Sequence, residues 1–378
     1  MNNVALRVDG KIFTGWTSIA INRSIESLSG YFDLGVNVQA ATDLSSLAPG
    51  KPLTLTIDDR VVITGHTDGQ RRQLQADSMK ITITGRDKTA DLVDCAAIYK
   101  GGQWKNRTLQ QIARDLAAPY GIAVRWELTD SESAAPFPSF TLDYSETVYE
   151  ALGRAARARG VLMTTNAAGD LVFTHAAAAY SDSLVLGENL LELDYNEDFR
   201  DRFSEYRVVG HGRASGKIGD TQSAAAIASQ KGCATDPDVA RYRPTIILAD
   251  SKTTGQTATA RAVREQRRRL AKSVEFEAKI DGWQRRDGSI WLPNVLVDID
   301  ASKFGITTGP LLVSKAVLSL DDRDGLTTTL SLGPRDAWLA PVEPDSKGRK
   351  NKKAEASGGI DAIVEEYWRK HPEKRRDE

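Results

Sequence analysis

The sequence predicts an α+β chain that is mainly β, with two similar antiparallel β-barrel domains, a small α+β domain between them and a further insertion. Three observations predict it. Apolar residues alternate with period two at both ends of the chain, a helical period appears only in the interior, and strand-like segments near the start recur near the end. At roughly 100–200 residues per domain, a chain of 378 residues with 40% apolar content holds about two to four domains, each with its own core.

Residues 1–95 form the first expected barrel. Val4, Leu6 and Val8 alternate up to a turn at Asp9-Gly10, and Ile19 with Ile21 and Leu53, Leu55 and Ile57 continue the period. Val61-Val62-Ile63 extends it, Asp68-Gly69 is a turn signal, and Ile81 with Ile83 gives a last strand before Gly85. Residues 96–184 form the α+β domain. Leu109, Ile112, Ala113 and Leu116 share one helical face that Tyr120-Gly121 ends, and a strand, Ile122 to Trp126, follows. Thr108-Leu109, Ala117 and Gly121-Ile122 recur at the same offsets as Thr147-Val148, Ala156 and Gly160-Val161, which marks an internal αβ repeat. Val161-Leu162-Met163, a turn around Gly169 and Leu171-Val172-Phe173 read as a hairpin.

Residues 185–213 and 271–340 form the second expected barrel, interrupted by an inserted helix-containing domain at 214–270. Its strands are Leu190–Leu193, Tyr206–Val209, Val274–Glu277, Val295–Ile299, Leu311–Val313, Val317-Leu318 and Thr329–Leu332, with turns at Asp281-Gly282, Asp287-Gly288 and Asp324-Gly325. The insertion ends in a helix whose stripe is Ala258, Ala262, Val263 and Leu270. Pro52 to Asp58 parallels Pro293 to Asp300, and Ile81–Gly85 parallels Thr329–Gly333, so one β module is expected to occur twice. Residues 341–378 are expected to be a flexible linker and an amphipathic helix. There Ile360, Ile363, Val364, Tyr367 and Trp368 share a face that needs a docking partner.

Composition excludes several classes. Fifty basic against 51 acidic side chains leave a net charge of −1, which argues against a protein that coats polyanions. No apolar run nears the roughly 18 residues of a membrane span. The opening Met1-Asn2-Asn3-Val4 lacks a secretion signal, so folding in the cytoplasm is expected. Two cysteines, Cys95 and Cys233, exclude a disulfide framework and a four-cysteine zinc site, and two buried thiols are expected.

Chemical motifs are largely missing. His66, His175, His211 and His371 include no metal-ligand spacing, and there is no phosphate-binding Gly-x-x-x-x-Gly-Lys and no Gly-x-Ser-x-Gly elbow. Neither a cofactor nor a catalytic residue is expected. Gly210-His211-Gly212 reads as a strand-end turn, and Asp322-Arg323-Asp324-Gly325 as a hairpin turn lacking the spacing of a calcium loop. Glu146 with Glu150 and Asp58 with Asp59 are carboxylate pairs of the kind a glycosidase needs, but they read better as solvated surface. Arg261, Arg264, Arg267, Arg268 and Arg269 could grip phosphates, yet fit a solvated helix face opposite the apolar stripe. The thread from Thr108 to Ile122 resembles a LysM peptidoglycan-binding module, but Asn106-Arg107 replace the usual Gly-Asp and the pattern recurs at Thr147, which favours a structural role.

Val8–Lys11, Gly15–Thr17, Ile19–Glu26, Gly30–Phe32 and Trp104–Ile122 together resemble the Mu-type phage baseplate hub family. Gly282–Gln284, Gly288–Trp291, Asn294-Val295 and the stretch from Leu311 to Trp338 are similar to the same family's second barrel, so the likeness spans about residues 4 to 340. The family resembles other contractile-tail hubs and the N-terminal part of type VI secretion spike proteins. The resemblance implies a structural protein, not an enzyme. It implies a homotrimer with two tail-tube-like barrels per chain, whose six similar units join a six-fold tail tube to a three-fold puncturing spike. Its implied partners are itself, the spike, the tail tube or adjoining tail protein and other baseplate proteins. DNA would pass only in transit through a channel, with no stable membrane insertion, in a virion tail assembled in the host bacterial cytoplasm.

Overall fold

The computed structural model describes residues 3–38, 45–74, 78–131, 133–209, 231–248, 255–335 and 338. Ile360, Ile363, Val364, Tyr367 and Trp368, the rest of 341–378, Gly210–Gly212 and parts of the expected insertion lie outside these residues.

Residues 4–87 give seven strands: β1 Val4–Val8, β2 Lys11–Phe13, β3 Ser18–Ser24, β4 Tyr31–Val38, β5 Pro52–Ile57, β6 Arg60–Leu74 and β7 Met79–Asp87. The next stretch holds α1 Ala90–Asp94, β8 Gln103–Arg107, α2 Leu109–Ala117, β9 Val124–Trp126, β10 Phe137–Thr141, α3 Val148–Arg159, β11 Leu162–Thr165 and β12 Leu171–Thr174. Then come β13 Tyr180–Val185, β14 Leu190–Glu197, β15 Glu205–Val209, β16 Lys231–Thr235, β17 Pro244–Leu248 and α4 Gly255–Lys272. The last strands are β18 Val274–Asp281, β19 Leu296–Ala301, β20 Ile306–Thr307, β21 Leu311–Asp321 and β22 Gly325–Pro334. The chain is α+β and mainly β.

One 14-stranded sheet follows the path β14-β18-β22-β21-β3-β4-β7-β6-β5-β1-β2, with β13 and β20 joined through β19. The run β3-β4-β7-β6-β5-β1 has the same order as β14-β18-β22-β21-β19-β13. One direction differs, since β1 is antiparallel to β5 while β13 is parallel to β19. Both runs carry a bulge on matching strands, between Thr67 and Gly69 of β6 and between Val313 and Lys315 of β21. Superposing the bulges sets Gly85 on Leu332 and Ile83 on Leu330. The sequence alignment of Ile81–Gly85 with Thr329–Gly333 is thus one residue out. Ile81 and Ile83 are buried, as are Leu330 and Leu332, and a slip of one residue turns a strand's apolar set to the wrong face.

Asp68-Gly69, expected to be a turn, is this bulge. β6 continues to Leu74 because its backbone stays paired with β7 on both sides of the extra residue. A single apolar cluster lines the sheet from Leu6, Phe32 and Ile83 to Ile280, Leu318 and Leu330. The two runs meet where β3 pairs antiparallel with β21, from Lys315 opposite Ser24 to Leu320 opposite Ile19.

The α+β segment has a separate core built on α2 and α3. Thr108 and Thr147 each cap their helix and form a capping box, with Gln111 and Glu150 respectively. Gly121 and Gly160 both take a left-handed conformation at φ 65°, which a side chain at either position would strain. The amides of Ile122 and Val161 then return to Ala117 and Ala156. Each residue singled out by the repeat therefore does the same job in both copies.

β15, grouped with the closing β region on sequence grounds, pairs instead with β16 and β17 in a separate three-stranded sheet. α4 covers that sheet, packing Ala258 and Ala262 on Tyr206 and Val208. Gly232 lies against the backbone of Ala258, so a side chain there would push the helix off. The expectation of two buried thiols fails. Cys95 is half-buried, and Cys233 is exposed because alternation along β16 sends Gly232 and Ala234 inward and Cys233 outward. A buried ion pair anchors this unit: Arg202 donates to both oxygens of Asp236 at 2.8 Å, and neither side chain is more than 2% exposed.

Arg23 ties the large sheet to the α+β segment. It is 6% exposed and donates to the carbonyls of Val62 at 2.8 Å and Thr165 at 2.6 Å. Burial lowers its pKa and Asp87 opposes that shift. Arg23→Ala is expected to cost about 2–4 kcal/mol of unfolding free energy by leaving two buried carbonyls unpaired, as measured by denaturant unfolding.

Candidate partner interface

The features that stand out are backbone edges, not a reactive cluster. On the β5 side, β6 is paired through His66, and from Gly69 to Leu74 it pairs only with β7 among the described residues. β14, likewise, has β18 as its only ladder partner among them. Bare edges of this kind are templates for another strand. Leu74 is 77% exposed and Tyr195 41% exposed, the latter stacked on Phe276. Sequence reading missed both edges, because alternation reveals strands but not which side of a strand is paired.

A cleft of about 1120 Å³ runs beside β14, with Tyr149 and Arg157 of α3, Arg264 and Arg267 of α4, and Asp194 and Tyr195 of β14 among its lining. Its walls carry both signs of charge. Of the arginines weighed as a phosphate grip, Arg268 and Arg269 each lie 2.7 Å from Glu265, and Arg269 also donates to the Asp201 carbonyl at 3.0 Å. Arg267 and Arg268 are exposed, on the side of α4 away from Ala258 and Ala262.

The carboxylate pairs have local structural jobs. Glu150 completes the α3 capping box, while Glu146 meets Arg154 at 2.7 Å. Asp58 and Asp59 form the positive-φ turn between β5 and β6, where Asp58 accepts the Asn3 amide at 2.7 Å. Asp322–Gly325 is the β21–β22 hairpin turn, with Asp321 accepting the amides of Arg323 and Asp324 at 2.8 Å. Among the described residues no three His, Cys, Asp and Glu side chains are grouped to hold a metal ion, and no helix is long and apolar enough to cross a membrane.

His175, Asp130 and Ser133 together contain the residue types of a hydrolase triad, yet their wiring is wrong for one. His175 Nε2 lies 2.8 Å from Asp130 Oδ2, and Ser133 Oγ donates to that same oxygen at 2.8 Å, so the histidine does not accept from the serine. Ser133 is also fully buried. The arrangement is a loop clasp on one carboxylate.

Two family models match end to end. The N-terminal domain of Mu phage baseplate assembly protein GpP-like proteins matches residues 3–87, and the second domain of gp44-like baseplate hub proteins matches residues 89–175. Together these matches define the chain as a component of a phage tail baseplate. Baseplate hub protein gp44 of Escherichia phage Mu is 66% identical over 373 residues, covering 99% of this chain and 98% of that protein. The chain belongs to the Mu-type phage baseplate hub family. A 43 kDa tail protein of prophage MuSo2 from Shewanella oneidensis has the same fold at TM-score 0.79 and 34% identity, over 90% of this chain and 100% of that one. An E. coli type VI secretion component, described as structurally similar to the T4 tail proteins gp27 and gp5, matches in fold at TM-score 0.57 and 11% identity, over 90% of this chain and 80% of that one.

The Asp130 clasp is testable by pH. The Ser133 amide, first, and then His175 and the Ser133 hydroxyl hold its carboxyl down to about 2. An unfolded aspartate titrates near about 3.9, so the clasp stabilises fully above that pH and is lost as pH falls through about 2. A carboxyl NMR titration should place the Asp130 midpoint near 2, and His175→Ala should move it upward.

Proposed function

We propose that the chain is the homotrimeric hub ring of a contractile tail, joining a six-fold tail tube to a three-fold membrane-puncturing spike. The observation that carries this reading is the repeated strand order, because one chain then supplies two similar β units and three chains supply six. Each run would curl into a tube-like barrel whose exposed edges are continued by its neighbours. The ring would leave a channel for DNA, and its partners would be the spike, the tube or adjoining tail protein and other baseplate proteins. Force comes from sheath contraction elsewhere, so the hub's task is to resist load through its interfaces.

DNA slides through a channel that is neutral or acidic, whereas arginines facing the lumen would hold it by phosphate contact. Arg261 to Arg269 are therefore placed away from the channel. Packing of α4 on the separate β16-β15-β17 sheet, outside the duplicated strands, supports this. The tail segment carrying Ile360, Ile363, Val364, Tyr367 and Trp368, expected from its sequence pattern to be helical, is proposed to dock on the spike or a neighbouring baseplate protein on the strength of that pattern alone.

Light scattering of the full 41.3 kDa chain should give about 120 kDa, and images of the particle should show three copies in a ring with α4 outside the lumen. Retention on insoluble peptidoglycan would favour a LysM-like wall-binding module instead, and clearing of cell wall, abolished by one Asp or Glu change, a glycosidase. Deleting residues 345–378 should prevent co-purification with the spike. Normal recovery would remove the docking assignment.

A further inference from the structure

Resting on the trimer reading, we infer that the ring closes by strand addition at one charge-complementary junction, in which residues 69–74 of one protomer pair antiparallel with residues 193–198 of the next. The chain contains its own template for this contact. β21 is divided along its length: Leu311 and Leu312 pair with β19, and Lys315 to Leu320 pair with β3. Its counterpart β6 is divided at the same bulge, paired with β5 before it and without a second ladder after it among the described residues. The counterpart of β3 is β14, whose outer edge is equally without a ladder there. One protomer therefore presents both halves of a junction it has already built once internally.

Register follows from the same superposition. The bulges set Gly69 on Lys315 and Leu74 on Leu320. Phe32 falls on Phe276 through their partners Gly85 and Leu332, which sets Ile21 on Tyr195 and Ile19 on Leu193. Transferring the β3–β21 pairs then puts Gly69 opposite Asp198, Gln70 opposite Glu197, Arg71 opposite Asn196, Arg72 opposite Tyr195, Gln73 opposite Asp194 and Leu74 opposite Leu193. Nothing in this transfer considered side-chain chemistry, yet the chemistry fits. Residues 69–74 carry Arg71 and Arg72 and no acid, while 193–198 carry Asp194, Glu197 and Asp198 and no base. Diagonal neighbours across an antiparallel pair lie within reach of long side chains, which sets Arg71 beside Asp194 and Arg72 beside Glu197, while Asp198 is already held by Arg200 at 2.6 Å. The exposed Leu74 meets Leu193 as Leu320 meets Ile19 inside the chain.

The two junctions thus share geometry and differ in chemistry. Leu318 and Leu320 face Ile21 and Ile19 within a chain, whereas between chains arginines lie diagonal to carboxylates, so association weakens as salt rises and the internal junction does not.

Two sets of full-length variants test this. With Cys95 and Cys233 first replaced by serine, Leu74→Cys and Leu193→Cys together should let mild oxidation link neighbouring protomers into covalent dimers and trimers, while either change alone should not. A trimer by light scattering that never cross-links would overturn the strand assignment and leave the hub reading standing, whereas an unmodified chain that never trimerises would overturn both. R71E/R72E should weaken trimer association roughly tenfold or more with its circular dichroism unchanged, and adding D194R and E197R should restore it. No loss in the first variant, or no recovery in the second, would refute the charged junction.

Discussion

The antiparallel ladder between β3 and β21 is the contact on which the rest of this architecture depends. It joins strands about 300 residues apart in sequence, a loop closure whose entropic cost grows only slowly with length. Once made, it turns two runs of the same order into one sheet lined by one apolar cluster. It also fixes which edges remain. Because β3 occupies the later part of β21, the later part of β6 and the outer side of β14 carry no second ladder among the described residues.

Much of this was legible in the sequence, for a physical reason. Half-buried strands alternate, so Leu53, Leu55 and Ile57 or Ile81 and Ile83 announce both a strand and its inner face. The αβ repeat was visible because capping threonines and left-handed glycines are demanded by local geometry that few residues satisfy. What stayed hidden was partner choice. Tyr206–Val209 reads as a good strand but carries no mark that its neighbours are β16 and β17. Asp68-Gly69 has the composition of a turn, and only the paired backbone on both sides makes it a bulge. Register within the repeated strands was missed by one residue, since hydroxyl-bearing and branched apolar residues alternate in both copies and either alignment fits the pattern until burial decides. The residues of the candidate edge, Arg71, Arg72, Asp194 and Glu197, look like ordinary solvated charges. They acquire meaning only when the sides of β6 and β14 that carry no ladder among the described residues are known.

Buried charge in this chain is spent on fixing pieces relative to one another. Arg23 reaches from β3 to a strand-end carbonyl of the α+β segment, and Arg202 clasps Asp236 beneath the β16-β15-β17 sheet. Such groups are costly to bury and gain little net stability over apolar replacements. Their geometric selectivity matters more for a part proposed to resist load, because a guanidinium held by fixed acceptors resists sliding in a way that an apolar contact does not.

A ring built from one duplicated module faces a problem of order. If its internal and external junctions were equally apolar, a nascent chain could pair its first run with another chain's second run as readily as with its own, and open chains would form. Different chemistry at equivalent geometry separates the two events. The apolar β3–β21 junction closes within a chain at high effective concentration. In the proposed ring the charged edges would wait for a folded partner and would reject a copy offering the same edge, because arginine would then face arginine. On this proposal, symmetry of fold would supply the ring, and asymmetry of charge the sequence of its assembly.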